Sequence, residues 1–204
     1  MHAVIFDIDG TLLESAEVDD HLYRRAVEGV LGPVRFRDSL AHYEYVTDSG
    51  ILSQVLVDNA LPAVPDLTDR VRDHFVGLVR GHIDDNGPFS EIPGARRMLE
   101  ELVVAQHCAV AIATGGWGAS ARLKLESAEF PVDGIPLASS DDAWDRVEIM
   151  RIALAQLGSD FDSISYYGDG PWDREACRRL GWRFVPVGRA LGGLESYQGI
   201  RFGR

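Results

Sequence analysis

The stretch Ala3-Val4-Ile5-Phe6-Asp7-Ile8-Asp9-Gly10-Thr11 decides the reading of this chain. Its four leading apolar residues suit a strand buried on both faces of a parallel sheet. The run ends at two carboxylates, Asp7 and Asp9, and then at Gly10. Residues two apart on a strand share a face, and glycine lets the chain turn at once. Two acids are thus offered together at the carboxyl end of a strand. That is where open α/β sheets bind ligands, near a topological switch point.

Reading outward, Val18, Leu22, Ala26 and Val30 recur at helical spacing over about 15–31, and Gly32-Pro33 closes the helix. From about 35 to 85 no strand is expected. Leu52, Val55 and Leu56 fit one short helix, and Val71, Phe75, Leu78 and Val79 fit another. Asp84 to Pro88 reads as a linker back to the core. A helix over 95–105 follows, then a second buried strand, Ala109 to Ala113, ending at Thr114-Gly115-Gly116. Further helices are expected at about 118–128, 145–157 and 173–180. Ile135 to Ala138, Ile164 to Tyr167 and Arg183 to Val187 supply three more strands. Strands alternating with helices predict a doubly wound parallel sheet of the α/β class. The expected division is a core of 1–13 and 87–204 carrying an all-helical insert, 14–86.

Three predicted strands end in reactive residues: Asp7 and Asp9, then Thr114, then Gly168-Asp169 with Asp173 close behind. The helix near 145 adds Arg146. Residues far apart in sequence are therefore expected on one rim of the sheet.

Composition narrows the functions available. Apolar residues make up 46% and charged residues 25%, the balance of a folded globular protein rather than a disordered one. A net charge of -12 repels nucleic acid and gains nothing at an anionic membrane, so neither is an expected partner. It also repels a phosphate substrate, so a phosphate site here needs a metal ion, backbone N–H groups or a local arginine. Cys108 and Cys177 have neither metal nor redox spacing. The longest apolar stretch, Leu102 to Ala113, is too short to span a bilayer. With no secretory signal visible, the cytoplasm is the expected compartment.

The motifs Asp7-Ile8-Asp9-Gly10-Thr11, Ala113-Thr114-Gly115 and Gly168-Asp169-Gly170-Pro171-Trp172-Asp173, in that order, resemble those of the haloacid dehalogenase-like superfamily, in its phosphatase branch. The helical insert resembles that family's cap of the first type. The resemblance implies a Rossmann-like core and a phosphohydrolase acting on a small phosphorylated metabolite. It implies Asp7 as nucleophile, forming an aspartyl-phosphate, and Asp9 as acid and base. It implies Mg²⁺ as cofactor, held by Asp7, the Asp9 backbone carbonyl and Asp169, with Asp173 behind them. Thr114 and the Gly115 N–H would bind the phosphoryl oxygens. Arg146 stands where the family usually carries a lysine, and arginine's planar fork is not equivalent to lysine's point charge. Lys124, the only lysine, is the rival, about 9–12 Å along the helix after Thr114 at ~1.5 Å per residue. Arg146 is favoured.

Beyond this set, Trp117, Trp144 and Trp172 are read as rim-loop residues that pack an interface rather than line a substrate wall. Glu14 and Ser15 open the insert, either touching substrate or serving as hinge and cap. The histidines of the insert, His21, His42, His74 and His82, have no ligand spacing. A phosphoglycolate phosphatase-like activity is the nearest named possibility. A phosphomutase would need a basic insert, for which Arg24, Arg25, Arg35 and Arg37 are available. A 2-haloacid dehalogenase is disfavoured because that branch lacks the second carboxylate. A weakly catalytic binding protein on the same fold is the remaining alternative. Oligomeric state is left open.

Overall fold

The computed structural model describes residues 1–158 and 160–200. Its order is β1 (His2–Phe6), α1 (Ala16–Leu31), α2 (Asp48–Asp58), α3 (Leu67–Asn86), α4 (Ala95–Val103), β2 (Cys108–Ala113), α5 (Gly118–Ser127), β3 (Leu137–Ala138), α6 (Arg146–Gln156), β4 (Ser163–Gly168), α7 (Pro171–Leu180) and β5 (Arg183–Pro186). The five strands form one parallel sheet in the order β3-β2-β1-β4-β5. The chain moves to one side of β1 through β2 and β3, then crosses to the other side for β4. The switch point therefore lies between β1 and β4, where Asp7 and Asp169 emerge.

Strand alternation divides the interior. Val4, Phe6, Val110, Ile112 and Tyr167 face a core shared with α4, α5 and the insert helices. Ile5, Ala111, Ala113 and Tyr166 face a second core under α6 and α7. Both faces of β1 are dry, which is why its apolar run is unbroken.

The expected elements form, with local differences. The segment between β1 and α4 contains α1, α2 and α3 and no strand among the described residues. Asp84 to Asn86, expected in a linker, are the last turn of α3, which stops only at Gly87 with φ +84°. The third strand shortens to two paired residues, Leu137 and Ala138. Trp172 is not in a loop: α7 begins at Pro171, a residue preorganised for the first helical position. No described helix is long and apolar enough to cross a membrane.

The insert joins the core through aromatic packing. Trp117 is fully buried at the start of α5, 5.6 Å from the ring of Tyr23 in α1 and 6.0 Å from that of Phe75 in α3. Tyr23 and Phe75 meet edge to face at 5.9 Å. Trp117 thus packs an interface, as the sequence suggested, while Trp144 is 49% exposed. Phe75→Ala opens a cavity at the centre of this trio. It is expected to cost about 3–5 kcal/mol of stability, read as a shift in the urea unfolding midpoint.

Candidate active site

Asp7 leaves β1 into a turn whose shape depends on Gly10, at φ +76°. A methyl group on Gly10 would meet Asp169 Oδ2 at 2.2 Å, so glycine here admits the carboxylate arriving from β4. Asp173, in the first turn of α7, is fully buried, and its Oδ2 accepts the Gly170 N–H at 3.1 Å. Asp173 therefore caps its own helix and reaches the site as well. One carboxylate oxygen from each of Asp7, Asp169 and Asp173 lies within 4.8 Å of the others.

Arg146, at the start of α6, faces this trio. It is 9% exposed, with Nη1 3.4 Å from Asp7 Oδ1 and Nε 3.2 Å from Asp173 Oδ1. The second contact is a charge contact without alignment. Arg146 Nε and Asp173 Oδ1 are both buried and without a hydrogen-bond partner among the described residues. Burial disfavours the guanidinium, but Asp173 and Asp7 outweigh it and its pKa is raised. The carboxyls respond the other way. Burial pushes Asp7 well above the usual carboxylate range, with Arg146 opposing and Asp173 adding. Burial, then Asp173, pushes Asp169 up to about 7. A compact set of acids with one orphaned buried oxygen fits a hard divalent cation.

Thr114 follows β2 on the other flank of Asp7 and is 1% exposed. Its Oγ1 accepts the Gly116 N–H at 3.1 Å, which orders the Thr114–Gly116 turn. A Cβ on Gly115 would stand 3.1 Å from the Arg146 guanidinium, so loop and arginine are in contact. Asp7, Asp9, Thr114, Gly115, Arg146 and Asp169 all line one cavity of about 150 Å³. Asp173 lies just beneath it. The structure thus brings every expected residue to one place.

The structure also draws in residues outside the favoured set: Lys124 and Ser15, named above only as alternatives, and Asp19 and Asp48, which the sequence reading did not single out. Lys124 is 1% exposed and reaches back from α5 to two carboxylates, Asp9 Oδ1 and Asp19 Oδ1, each at 2.5 Å. Burial opposes its charge, while Asp19 and Asp9 overcome that and raise its pKa. Burial and then Asp9 push Asp19 up to about 6. Ser15 is the N-cap residue of α1, but it is fully buried and its hydroxyl donates to the same Asp9 Oδ1 at 2.5 Å instead of making a capping bond. Arg146 and Lys124 therefore do not compete for one position: Arg146 serves Asp7 and Lys124 serves Asp9. Asp48, at the start of α2, is 8% exposed, lines the cavity and accepts the Trp117 N–H at 2.8 Å. Of the insert arginines, Arg24 pairs with Asp20 and Arg37 with Asp58. Neither they nor Arg25 and Arg35 line the cavity. His74 packs on Gly29 and His82 stacks on Phe89.

Residues 1–181 match the haloacid dehalogenase-like hydrolase family, and the chain belongs to it. No curated protein matches the sequence. Among solved structures, a hydrolase from Pseudomonas syringae aligns with a TM-score of 0.71 at 21% identity, covering 91% of this chain and 84% of that one. CbbY from Rhodobacter sphaeroides, in complex with phosphate, aligns at 0.68 and 21% identity, covering 98% and 90%. A beta-phosphoglucomutase from Clostridium difficile aligns at 0.70 and 14% identity, covering 93% and 85%. At such identities the likeness establishes a shared fold.

Two tests follow from the charges. Removing the Lys124 ammonium leaves Asp9 and Asp19, both largely buried, without their cation. Lys124→Met should cost about 3 kcal/mol or more in urea unfolding, and adding Asp19→Asn should recover part of it. The second test is pH. Asp169 rises from 3.8 to about 7 in the folded state, so its stabilising contribution is complete below about 4 and is lost as pH rises through 7. With chelator present, the melting temperature should be lower at pH 8 than at pH 5. A divalent cation taken up by this cluster would raise it more at pH 8, since cation and protons compete for the same oxygens.

Proposed function

We propose that this haloacid dehalogenase-like hydrolase is a phosphomonoesterase that acts through an aspartyl-phosphate on Asp7. The observation that carries the reading is the convergence of Asp7, Asp9, Thr114, Gly115, Arg146 and Asp169 on one cavity. The phosphate complex of CbbY, which shares the fold, adds support.

In the first half-reaction a carboxylate oxygen of Asp7 attacks phosphorus, and the bond to the leaving oxygen breaks. Asp9 gives that oxygen a proton. In the second, Asp9 takes a proton from water as the water attacks phosphorus. The phosphorus–Asp7 bond breaks and inorganic phosphate leaves. Ser15 and Lys124 hold Asp9 Oδ1, which leaves Oδ2, with no hydrogen-bond partner among the described residues, to carry the proton. The Gly115 N–H, the Thr114 hydroxyl and Arg146 orient the phosphoryl oxygens and balance their charge. Arg146 also draws Asp7 toward its ionised, nucleophilic form. Asp7, Asp169 and Asp173, with the Asp9 backbone carbonyl, would hold Mg²⁺, which when bound offsets the repulsion between anionic nucleophile and anionic phosphate.

Residues 14–86 act as a cap over a core of 1–13 and 87–204. Cap and core meet at the cavity: Ser49 N–H donates to Ser140 Oγ at 2.8 Å, and the Asp48 N–H donates to the Gly115 carbonyl at 2.8 Å. Such closure keeps bulk water from the aspartyl-phosphate until the leaving group departs.

Phosphate release from p-nitrophenyl phosphate should require Mg²⁺ and stop with EDTA. Asp7→Asn should lower kcat by about 1000-fold or more. Asp9→Asn should cost alkyl phosphates about 100-fold or more, and p-nitrophenyl phosphate less, because p-nitrophenolate leaves without a proton. Equal, metal-independent turnover by wild type and Asp7→Asn would refute the reading.

A further inference from the structure

The insert side of the cavity carries charge that phosphoryl transfer does not use. Asp19 and Asp20 from α1 and Asp48 from α2 all line it. Asp19 shares a single ammonium, Lys124, with Asp9. Asp20 is matched by Arg24 at 2.8 Å. Arg146, the one cation among the described residues that line the cavity, is turned toward Asp7 and Asp173. That leaves Asp48 without an ion pair among the described residues, with Lys124 acting on it only from beyond contact.

Asp48 is also half satisfied. Its Oδ2 accepts the Trp117 N–H, while its Oδ1 accepts no hydrogen bond from any described residue. The residue is 8% exposed and lines the cavity. A largely buried carboxylate with one oxygen unpaired and no ion pair is costly, and burial, with Asp19 adding, holds Asp48 well above the usual range. What would relieve it is a positive charge arriving from the cavity.

We propose that Asp48 recognises a cationic leaving group, so that the substrate is a small phosphomonoester of an amino alcohol, its ammonium beside Asp48 and its phosphoryl group at Asp7. This rests on the phosphomonoesterase reading above. The same wall opposes leaving groups that carry a carboxylate or a second phosphate. Arg24, Arg25, Arg35 and Arg37, the cations that could have received such groups, lie off the cavity.

Three esters of similar size and different charge test this: 2-aminoethyl, 2-hydroxyethyl and carboxymethyl phosphate. Phosphate release with Mg²⁺ should give kcat/KM in that order, with the amino ester tenfold or more above the hydroxy ester. In Asp48→Asn, which keeps an acceptor for the Trp117 N–H, the amino-to-hydroxy ratio should fall toward one. A wild type that favours the hydroxy or carboxymethyl ester overturns the proposal, as does a ratio that Asp48→Asn leaves unchanged. The wild-type comparison stands even if the variant fails to fold. Turnover of p-nitrophenyl phosphate with none of the amino ester overturns the substrate class alone. Release from none of the four overturns the phosphomonoesterase reading and the substrate class with it.

Discussion

Mutual repulsion among buried carboxylates is the constraint on which this structure depends. Asp7, Asp9, Asp169 and Asp173 meet at one end of a parallel sheet, and Asp19 and Asp48 approach from the insert. Water screens little of this, because Asp7, Asp48 and Asp173 are buried and the other three are partly so. Two buried cations divide the task. Arg146 sits among Asp7, Asp173 and the Thr114–Gly116 turn, and Lys124 sits between Asp9 and Asp19. Neither is on the strand that supplies the acids. The acidic turn after β1 thus takes its counter-charges from α5 and α6.

That arrangement separates the two carboxylates the sequence placed side by side. Asp7 is surrounded by groups from the β4 end of the sheet, and Asp9 by groups from α1 and α5. One can thus be biased toward attack and the other toward proton transfer although they stand two residues apart. On the proposed mechanism, difference in environment rather than in residue type would separate the two roles.

The legible part of the fold was the part written in local pattern. The unbroken run Ala3 to Phe6 announced a strand with two dry faces, and the structure shows both faces packed. The polar strand ends located the cavity, since a parallel sheet brings like ends together. Asp19 and Asp48 were not legible as site residues, and Lys124 was legible only as a rival for the place given to Arg146. The Lys124 partners lie 115 and 105 residues away in sequence. Distance along a helix axis also says nothing of where a long side chain bends. Trp172 shows the opposite case, because Pro171 ahead of it was a usable helix-start signal. The two-residue β3 shows how little of an edge strand must pair when the next strand supplies the register.

Lys124 has one more consequence. It is the sole lysine of this sequence, and its side chain is sealed between two acids at 1% exposure. The folded surface therefore offers no lysine amine to acylating reagents or to lysine-directed modification. Any acyl group found at that position would record an excursion in which α1 and α5 had parted, making the residue a built-in chemical reporter of opening.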